Sequence, residues 1–391
     1  MAKERIVVGI DIGTSKVSTI IASVTEEEQV SVIGVSTVES KGIKKGVVVD
    51  IDRAVDSISM SLEGAERMAG YAVSKAFVSV GGNHIASLNS HGVVAISNPS
   101  GEIGHDDISR VTEAARAISI PSSREIIHVL PRSFIVDSQD GVHDPVGMSG
   151  VRLEVETHIV SGATTSMRNL VKCVQQVGVD VEDLVFTALA SSYSTISDTE
   201  KELGVVLVDI GGGTAEIAVI SLGGVVVGRS IRVAGDEMNE AIMNFVKLKY
   251  SLLLGEITSE DVKIILGSFV SAKEKYHVVR GRDLETGLPK SIKLSSSEVR
   301  EALVPVVQEI IANIVSILEE TPPELVSDII QNGITMAGGG SLIPGIDKLI
   351  SENTKMPVMV ADDPITCVVK GCANLLGSPK LLSKIRITKG L

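Results

Sequence analysis

Residues 205–220 read VVLVDIGGGTAEIAVI, and residues 7–22 read VVGIDIGTSKVSTIIA. Each stretch is an apolar strand that ends in Asp-Ile-Gly, a turn of small residues and a second apolar strand, which is the pattern of a β-hairpin with a glycine-containing turn. Further strand and helix patterns follow each copy in the same order. The repetition predicts two similar domains of alternating strands and helices in an α/β protein.

Both turns combine a carboxylate with bare backbone amides. Asp11 and Asp209 end their strands, and glycines and small hydroxyl residues follow. Glycine lets a phosphate approach backbone N–H groups closely, and an aspartate binds Mg2+ through water. One such turn alone is more often an ordinary hairpin. Two of them, with a third glycine-rich turn at 338–340 between a strand and a helix, favour a site that clamps a nucleotide.

Composition limits the classes of partner. The 391 residues are 44% hydrophobic, which is enough for a large core and for two or more domains. A net charge of −13 opposes binding to nucleic acid, so we expect no nucleic-acid partner. Three cysteines without metal or redox spacing are expected as reduced, buried thiols. Asp11 interrupts the N-terminal apolar run before it reaches the length of a signal-peptide core, so we expect a cytoplasmic protein.

These motifs resemble those of the actin, Hsp70 and sugar-kinase superfamily, in which duplicated ribonuclease H-like domains surround a nucleotide cleft. DIGTSK at 11–16 and DIGGGT at 209–214 look like its two phosphate motifs, and MAGGGSLIPG at 336–345 looks like its adenosine motif. The resemblance implies ATP and Mg2+ as cofactors, with Asp11 and Asp209 as catalytic residues near the metal. It also implies a set of nucleotide contacts: Gly13, Thr14, Ser15, Lys16, Gly211, Gly212, Gly213, Thr214, Glu260, Lys263, Gly338, Gly339, Gly340 and Ser341.

Two bacterial families of this superfamily divide the chain between them. The first half is similar to the FtsA family, including a segment with IIHVLPRSFIVD that resembles its inserted subdomain 1C. The second half resembles MreB, for example in VDIGGGTAEIAVISLGG and ADDPITCVVKG. The predicted units are a first domain (1–84 and 162–200), an insert (85–161) and a second domain (201–391) with its own insert at about 235–300.

We choose the FtsA-like interpretation because MreB lacks the inserted subdomain. It implies an ATP-binding filament protein that polymerises with itself, links the ring of the tubulin homologue FtsZ to the membrane and recruits other division proteins. The alternative is an MreB-like cell-shape filament that guides wall synthesis. A small-metabolite kinase is a further alternative, but neither a catalytic base nor a substrate pocket is evident. An Hsp70-like chaperone would need a C-terminal peptide-binding region.

Some of the predicted site residues have simpler alternatives. Lys16 would equally be a solvated hairpin lysine, and Glu260 with Lys263 has the spacing of a surface salt bridge on a helix. MreB proteins place Glu, and some FtsA proteins Gln, in the segment that here reads LVFTALASS. Only the hydroxyl of Thr187 would orient a water there, and weakly. We therefore expect at most a slow ATPase whose output is assembly.

The last residues, 380–391, read KLLSKIRITKGL, with several basic residues and three apolar ones that would share a helical face. FtsA proteins usually end in a membrane-targeting amphipathic helix, so the resemblance implies peripheral contact with the inner face of the cell membrane. A solvated tail is the alternative, because the segment has no aromatic anchor and follows without a long linker.

Overall fold

The computed structural model describes residues 5–98, 100–270, 273–378 and 381–382, which form strands and helices in alternation. The elements of the first half are β1 (Arg5–Ile12), β2 (Lys16–Val24), β3 (Val30–Glu39), β4 (Ile43–Lys44), β5 (Val47–Val48), α1 (Ile51–Ala69), β6 (Lys75–Val80), β7 (Ala86–Ala95), α2 (His105–Arg116), β8 (Arg124–Val136), β9 (Gln139–Val142), β10 (Arg152–Ala163), α3 (Thr164–Gln176), β11 (Asp180–Phe186), α4 (Thr187–Thr195) and α5 (Asp198–Leu203). The elements of the second half are β12 (Val205–Ile210), β13 (Ala215–Ser221), β14 (Gly224–Ile231), α6 (Gly235–Tyr250), β15 (Leu252–Leu253), α7 (Glu256–Leu266), β16 (Tyr276–Asp283), β17 (Pro289–Ser295), α8 (Ser296–Glu320), α9 (Pro323–Asn332), β18 (Ile334–Ala337), α10 (Ile346–Thr354), β19 (Val358–Val360) and α11 (Cys367–Gly377), with a 3₁₀ turn at Gly339–Leu342.

Both repeats form a five-stranded sheet of the same topology. The first sheet has the order β3-β2-β1-β6-β11, and the second has the order β14-β13-β12-β18-β19. In each sheet three consecutive strands pair antiparallel and the last two strands join in parallel. The predicted duplicated α/β fold is therefore confirmed.

The segment between β6 and α3 folds as a separate four-stranded sheet in the order β7-β10-β8-β9, with α2 packed against it. Part of this insert has its own apolar core, formed by Ile103, Val111, Ala115, Phe134, Val136, Val142, Leu153 and Val155. Other apolar side chains of the insert pack into the core of the first domain, namely Ile85, Ile127, Leu130 and Val160. The insert is thus joined to the first domain by a shared core.

Helix ends follow the capping chemistry of the sequence. The Asp50 carboxylate accepts a hydrogen bond from the Arg53 N–H at the start of α1, and Gly70 ends that helix in the left-handed region at φ 64°. At the start of α8, Ser295 and Glu298 form a capping box. Helix α7 begins at Glu256, so Glu260 and Lys263 lie beyond its first turn.

Helix α8 is the one described helix that is long and apolar enough to cross a membrane by length and composition. Core helices meet the same criteria. One stripe of α8, which includes Val299, Leu303, Val307, Ile310, Ile314 and Ile317, is buried in the core of the second domain. The apolar character of α8 is therefore accounted for in part by its packing against the second sheet and α6.

The C-terminal helix α11 returns to the first domain. Its buried side chains, including Cys372, Leu375 and Leu376, belong to the core around β1 and β2. Helix α11, which lies within the predicted second domain 201–391, therefore packs into the core of the first domain. Leu382 packs into that core as well. The rest of the predicted membrane-binding segment, Lys380 and 383–391, lies outside the described residues.

Helices α11 and α4 approach each other at Gly371. A Cβ atom built there would lie 1.7 Å from the Ala190 carbonyl oxygen. We expect Gly371→Ala to lower the free energy of unfolding by about 1–3 kcal/mol, since the backbone of α4 must move. Chemical denaturation of the full chain measures this loss. Gly224→Ala at the start of β14 is the control, because no atom lies within 4 Å of the Cβ position there and its φ is not positive. Equal stability of the two variants would contradict the prediction.

Candidate functional site

The turns that follow β1 and β12 have the same geometry. In each hairpin a four-residue turn, 13–16 or 211–214, connects two antiparallel strands. The strands stay paired as far as the residues on either side of the turn. The Gly13 N–H donates to the Lys16 carbonyl at 2.9 Å, and the Gly211 N–H donates to the Thr214 carbonyl at 3.0 Å. The two phosphate-like motifs of the sequence are therefore structural copies of each other.

The two turns face each other at very short range. A Cβ at Gly212 would lie 1.8 Å from Ser15 Oγ, and one at Gly213 would lie 2.6 Å from Thr14 Oγ1 and 2.9 Å from the backbone of Lys45. Only glycine fits such an approach without displacement of its neighbours. Residues of both turns line one cavity.

The two aspartates that end the strands are buried and each is held by a serine. Asp11 Oδ1 accepts a hydrogen bond from Ser79 Oγ at 2.6 Å, and Asp209 Oδ2 accepts one from Ser191 Oγ at 2.8 Å. Burial raises the pKa of Asp209, although the Ser191 hydrogen bond and the nearby Lys16 act in the opposite direction. Both aspartates line the cavity.

A cavity of about 510 Å³ lies between the two domains. It brings together all but one of the residues that the sequence predicts as site residues. Its lining includes Asp11, Gly13, Thr14, Ser15, Lys16, Thr187, Asp209, Gly211, Gly212, Gly213, Thr214, Glu260, Lys263, Gly338, Gly339 and Gly340. A cavity of this size can hold a ligand of several hundred daltons.

The predicted pair on α7 lies at the cavity. Lys263 Nζ donates to Glu260 Oε2 at 2.8 Å and to the Gly235 carbonyl at 3.1 Å. The Lys263 side chain is only 11% exposed, unlike the lysine of a typical surface salt bridge. Asn239 also donates to Glu260 Oε2, at 2.5 Å. The pair is thus fixed between α6 and α7 and faces the cavity.

The glycine run after β18 packs tightly on β12. A Cβ at Gly338 would lie 2.3 Å from the Ile210 carbonyl oxygen and 2.5 Å from Asp209 Oδ1, and Gly338 has a φ of 79°. Ser341, which the resemblance gives as a nucleotide contact, lies in the same turn but is not among the residues that line the cavity. Its hydroxyl is buried and donates to the Gly338 carbonyl at 2.7 Å, so it stabilises the 3₁₀ turn.

Sequence reasoning missed an acidic residue beside Thr187. Glu216, on β13, lines the same cavity and accepts hydrogen bonds from Thr187 Oγ1 and, at 2.8 Å, from the Gly82 N–H. Burial raises the pKa of Glu216 from its usual 4.5 to about 7, against the lowering effect of its hydrogen bonds. The signal was present in the sequence, since a charged residue in an otherwise apolar strand needs a polar partner.

A second missed contact also crosses the cleft. Lys45, in the β4–β5 turn of the first domain, forms a salt bridge with Glu237 on α6 of the second domain. Both side chains are partly buried. The hydrogen bond to Glu237 raises the pKa of Lys45. The Gly46 N–H donates to Thr14 Oγ1 at 3.1 Å, so this turn is tied to the first glycine turn as well.

The buried Glu216 predicts a dependence of stability on pH in the ligand-free protein. Between about pH 4.5 and 7 the folded chain holds a proton that the unfolded chain has released, so the free energy of unfolding falls as the pH rises. We expect a contribution on the order of 3 kcal/mol. Denaturation of Glu216→Gln over this range should lack that fall, whereas the exposed control Glu309→Gln should keep it. Equal pH profiles for Glu216→Gln and the wild type would refute the assignment.

Two family models match the chain. The model of the MreB/Mbl protein matches residues 159–384, and the model of the SHS2 domain inserted in FtsA matches residues 82–161. The second match covers the sheet of β7 to β10, which is the element that separates the two interpretations of the sequence.

Relatives and solved structures agree with these models. The crystal structure of MreB5 of Spiroplasma citri bound to AMPPNP has a TM-score of 0.65 at 24% identity and covers 97% of each chain, and the MamK double helical filament has a TM-score of 0.58 at 17% identity and covers 96% of this chain and 99% of that one. These likenesses show the actin-like fold. The chain is 38% identical to cell division protein FtsA of Pseudomonas aeruginosa over 96% of its length and 86% of the relative, and 35% identical to that of Bacillus subtilis over 92% and 79%. With this similarity over nearly its whole length and with the FtsA-type insert, the chain belongs to the FtsA family of cell division proteins.

Proposed function

We propose that this protein acts in cell division as an ATP-binding, actin-like filament protein. The observation that carries the proposal is the cavity between the repeats, where two copies of one glycine turn and two aspartates meet in a chain with the FtsA-type insert. Its partners would be further copies of itself, the tubulin homologue FtsZ and other division proteins. It would act in the cytoplasm, at the inner face of the membrane, as a link between the FtsZ ring and the bilayer.

The cavity fits ATP in its chemistry. The facing turns offer backbone N–H groups from both domains, and Lys16 adds a positive charge beside them. Such an arrangement suits the phosphates of a nucleotide. The apolar lining from Ile264, Leu342, Ile343 and Ile365, with Glu260 and Lys263 beside it, suits a base and a ribose. The triphosphate would thus contact both repeats.

The donor set also fits Mg2+. Asp11 and Asp209 offer hard oxygen atoms on the two sides of the same cavity. Among the described residues no group of three or more His, Cys, Asp or Glu could hold a metal ion by itself. Waters and phosphate oxygens would therefore supply the remaining ligands, as Mg2+ prefers. Bound there, the ion would neutralise charge on the phosphates.

Nucleotide binding in this cleft would set the relative orientation of the two domains. A ligand held by both glycine turns adds to the direct bridges across the cleft, which are the Lys45–Glu237 salt bridge and the hydrogen bonds of Glu216 to Thr187 and Gly82. A filament needs subunits of one fixed shape, since each contact repeats along the polymer. We infer that ATP favours assembly by this route and that hydrolysis is slow.

The insert is the surface that we assign to subunit or partner contacts, within the predicted boundaries 85–161. It contributes none of the cavity residues. It also exposes apolar side chains, of which Val151 is 75% exposed and Val93 is 42% exposed. Val151, the more exposed of the two, is the position at which we test this assignment.

Mg-ATP should stabilise the folded protein, because only the native state has the cleft. At a concentration 100 times the dissociation constant we expect about 2.7 kcal/mol, which corresponds to a rise in Tm of several degrees. Thermal melting with and without Mg-ATP measures it. Asp11→Asn and Asp209→Asn should each reduce the rise, whereas Asp328→Asn on the exposed face of α9 should not. No rise at millimolar nucleotide in the wild type would count against the proposed function.

Val151→Asp should weaken assembly without weakening ATP binding. The substitution places a charge on an exposed apolar position of the insert, where it would be desolvated in a contact. We expect co-sedimentation of polymer or of FtsZ to fall at least about tenfold, which a loss of ~1.4 kcal/mol would produce. Leu203→Asp, at a position 47% exposed outside the insert, is the matched control. Wild-type assembly by Val151→Asp would remove the insert surface around Val151 from the proposal.

A further inference from the structure

Glu216 stands where a reacting water could be held. It is the sheet partner of Asp209 across β12 and β13, and it lines the cavity together with Thr187. The neighbouring segment 184–192 of the first domain has no acidic or amide side chain. The carboxylate at this corner of the cavity therefore comes from the second repeat.

The hydrogen bonds of Glu216 fix its position and leave acceptor capacity. Oε1 accepts from the Gly82 N–H at 2.8 Å and more weakly from Ser230 Oγ at 3.4 Å, and Oε2 accepts from Thr187 Oγ1. A carboxylate has about four acceptor positions, so these contacts leave one. Because Thr187 donates its only hydroxyl proton to Glu216, its oxygen is left to accept, and the pair together can bind one water.

Gly81 makes room for this pair. A Cβ at Gly81 would lie 2.3 Å from Thr187 Oγ1 and 2.4 Å from Glu216 Oε1. Any other residue would separate the hydroxyl and the carboxylate or push them from the cavity. The close approach of Thr187 and Glu216 thus depends on the absence of a side chain at Gly81 of the first domain.

We propose that Glu216, positioned by Thr187 and Gly82, orients the water that attacks the terminal phosphate of ATP. The inference rests on the proposed function, because it needs ATP in the cleft. In the step, the water oxygen forms a bond to the terminal phosphorus while the bond from that phosphorus to the bridging oxygen breaks. The electron pair of the broken bond leaves with ADP, and both water protons end on the inorganic phosphate.

The same geometry also makes Glu216 a brace between the domains, and the two roles predict different results. A brace alone would affect nucleotide affinity and stability. A water-orienting carboxylate would affect the reaction and the binding of a transition-state mimic, while affinity for the unreacted nucleotide stays the same. Glu216→Gln separates them, since the amide can still accept from Gly82 and donate to Thr187 but loses its charge and its free acceptor position.

The experiment uses the full chain and three measurements. The first is equilibrium binding of AMPPNP with Mg2+, which we expect to remain within threefold of wild type in Glu216→Gln. The second is single-turnover hydrolysis of ATP, which we expect to fall roughly 100-fold. The third is binding of ADP with aluminium fluoride, whose gain in affinity over ADP alone should disappear in the variant. Glu309→Gln, exposed on α8, should match wild type in all three.

Each outcome decides between the proposals. If wild type does not bind AMPPNP, the proposed function fails and this inference fails with it. If wild type binds and hydrolyses ATP and Glu216→Gln does so at a rate within threefold, the inference fails and the proposed function stands. Loss of AMPPNP binding in a folded Glu216→Gln, or no hydrolysis by wild type, also overturns it. If Glu216→Gln does not fold, Glu216→Asp replaces it in the same three measurements. We expect the same losses, because the aspartate side chain is one methylene group shorter and its carboxylate does not reach the position of the glutamate carboxylate.

Discussion

The close approach of two backbone turns is the constraint on which the rest of the structure depends. The turn at 211–214 reaches the turn at 13–16 so closely that Gly212 and Gly213 have no room for a Cβ. The two strands that carry the aspartates must therefore point at each other across the cleft. The position of the cavity between the two sheets and the placement of both carboxylates beside it follow from this contact.

Helix α4 holds the two sides of the cleft together at several points. Thr187 at its start donates to Glu216, and Ser191 one turn later donates to Asp209, so one short helix of the first domain contacts two acids of the second. On its other side α4 packs against α11, and Ser194 Oγ donates to the Cys367 carbonyl at 2.7 Å. The return of α11 to the first core thus supports the element that positions the acids.

Local chemistry predicted the parts that depend on neighbouring residues. The hairpins, the capped helices and the glycine turns follow from short patterns, and the resemblance gave the arrangement of the repeats. Glu216 was missed because its role depends on Thr187, 29 residues away, and on Gly82, 134 residues away. The motif at 336–345 does not tell that the Ser341 hydroxyl turns inward to the Gly338 carbonyl. The position of α11 depends on shape complementarity at Gly371, which no sequence pattern encodes.

The turn after β6 connects the cleft to the insert. The Gly82 N–H donates to Glu216 in the cleft, the Ile85 N–H donates to the Gly82 carbonyl at 2.9 Å, and Arg124 at the start of β8 donates to the His84 carbonyl at 2.9 Å. Packed cores move as units rather than deforming continuously. Ile85 and Leu130 of the insert pack in the core of the first domain. A rotation of the second domain that moves Glu216 therefore acts, through Gly82, on a segment that is attached to the insert. The fold therefore gives the insert, which we propose as an assembly surface, a direct mechanical connection to the cleft.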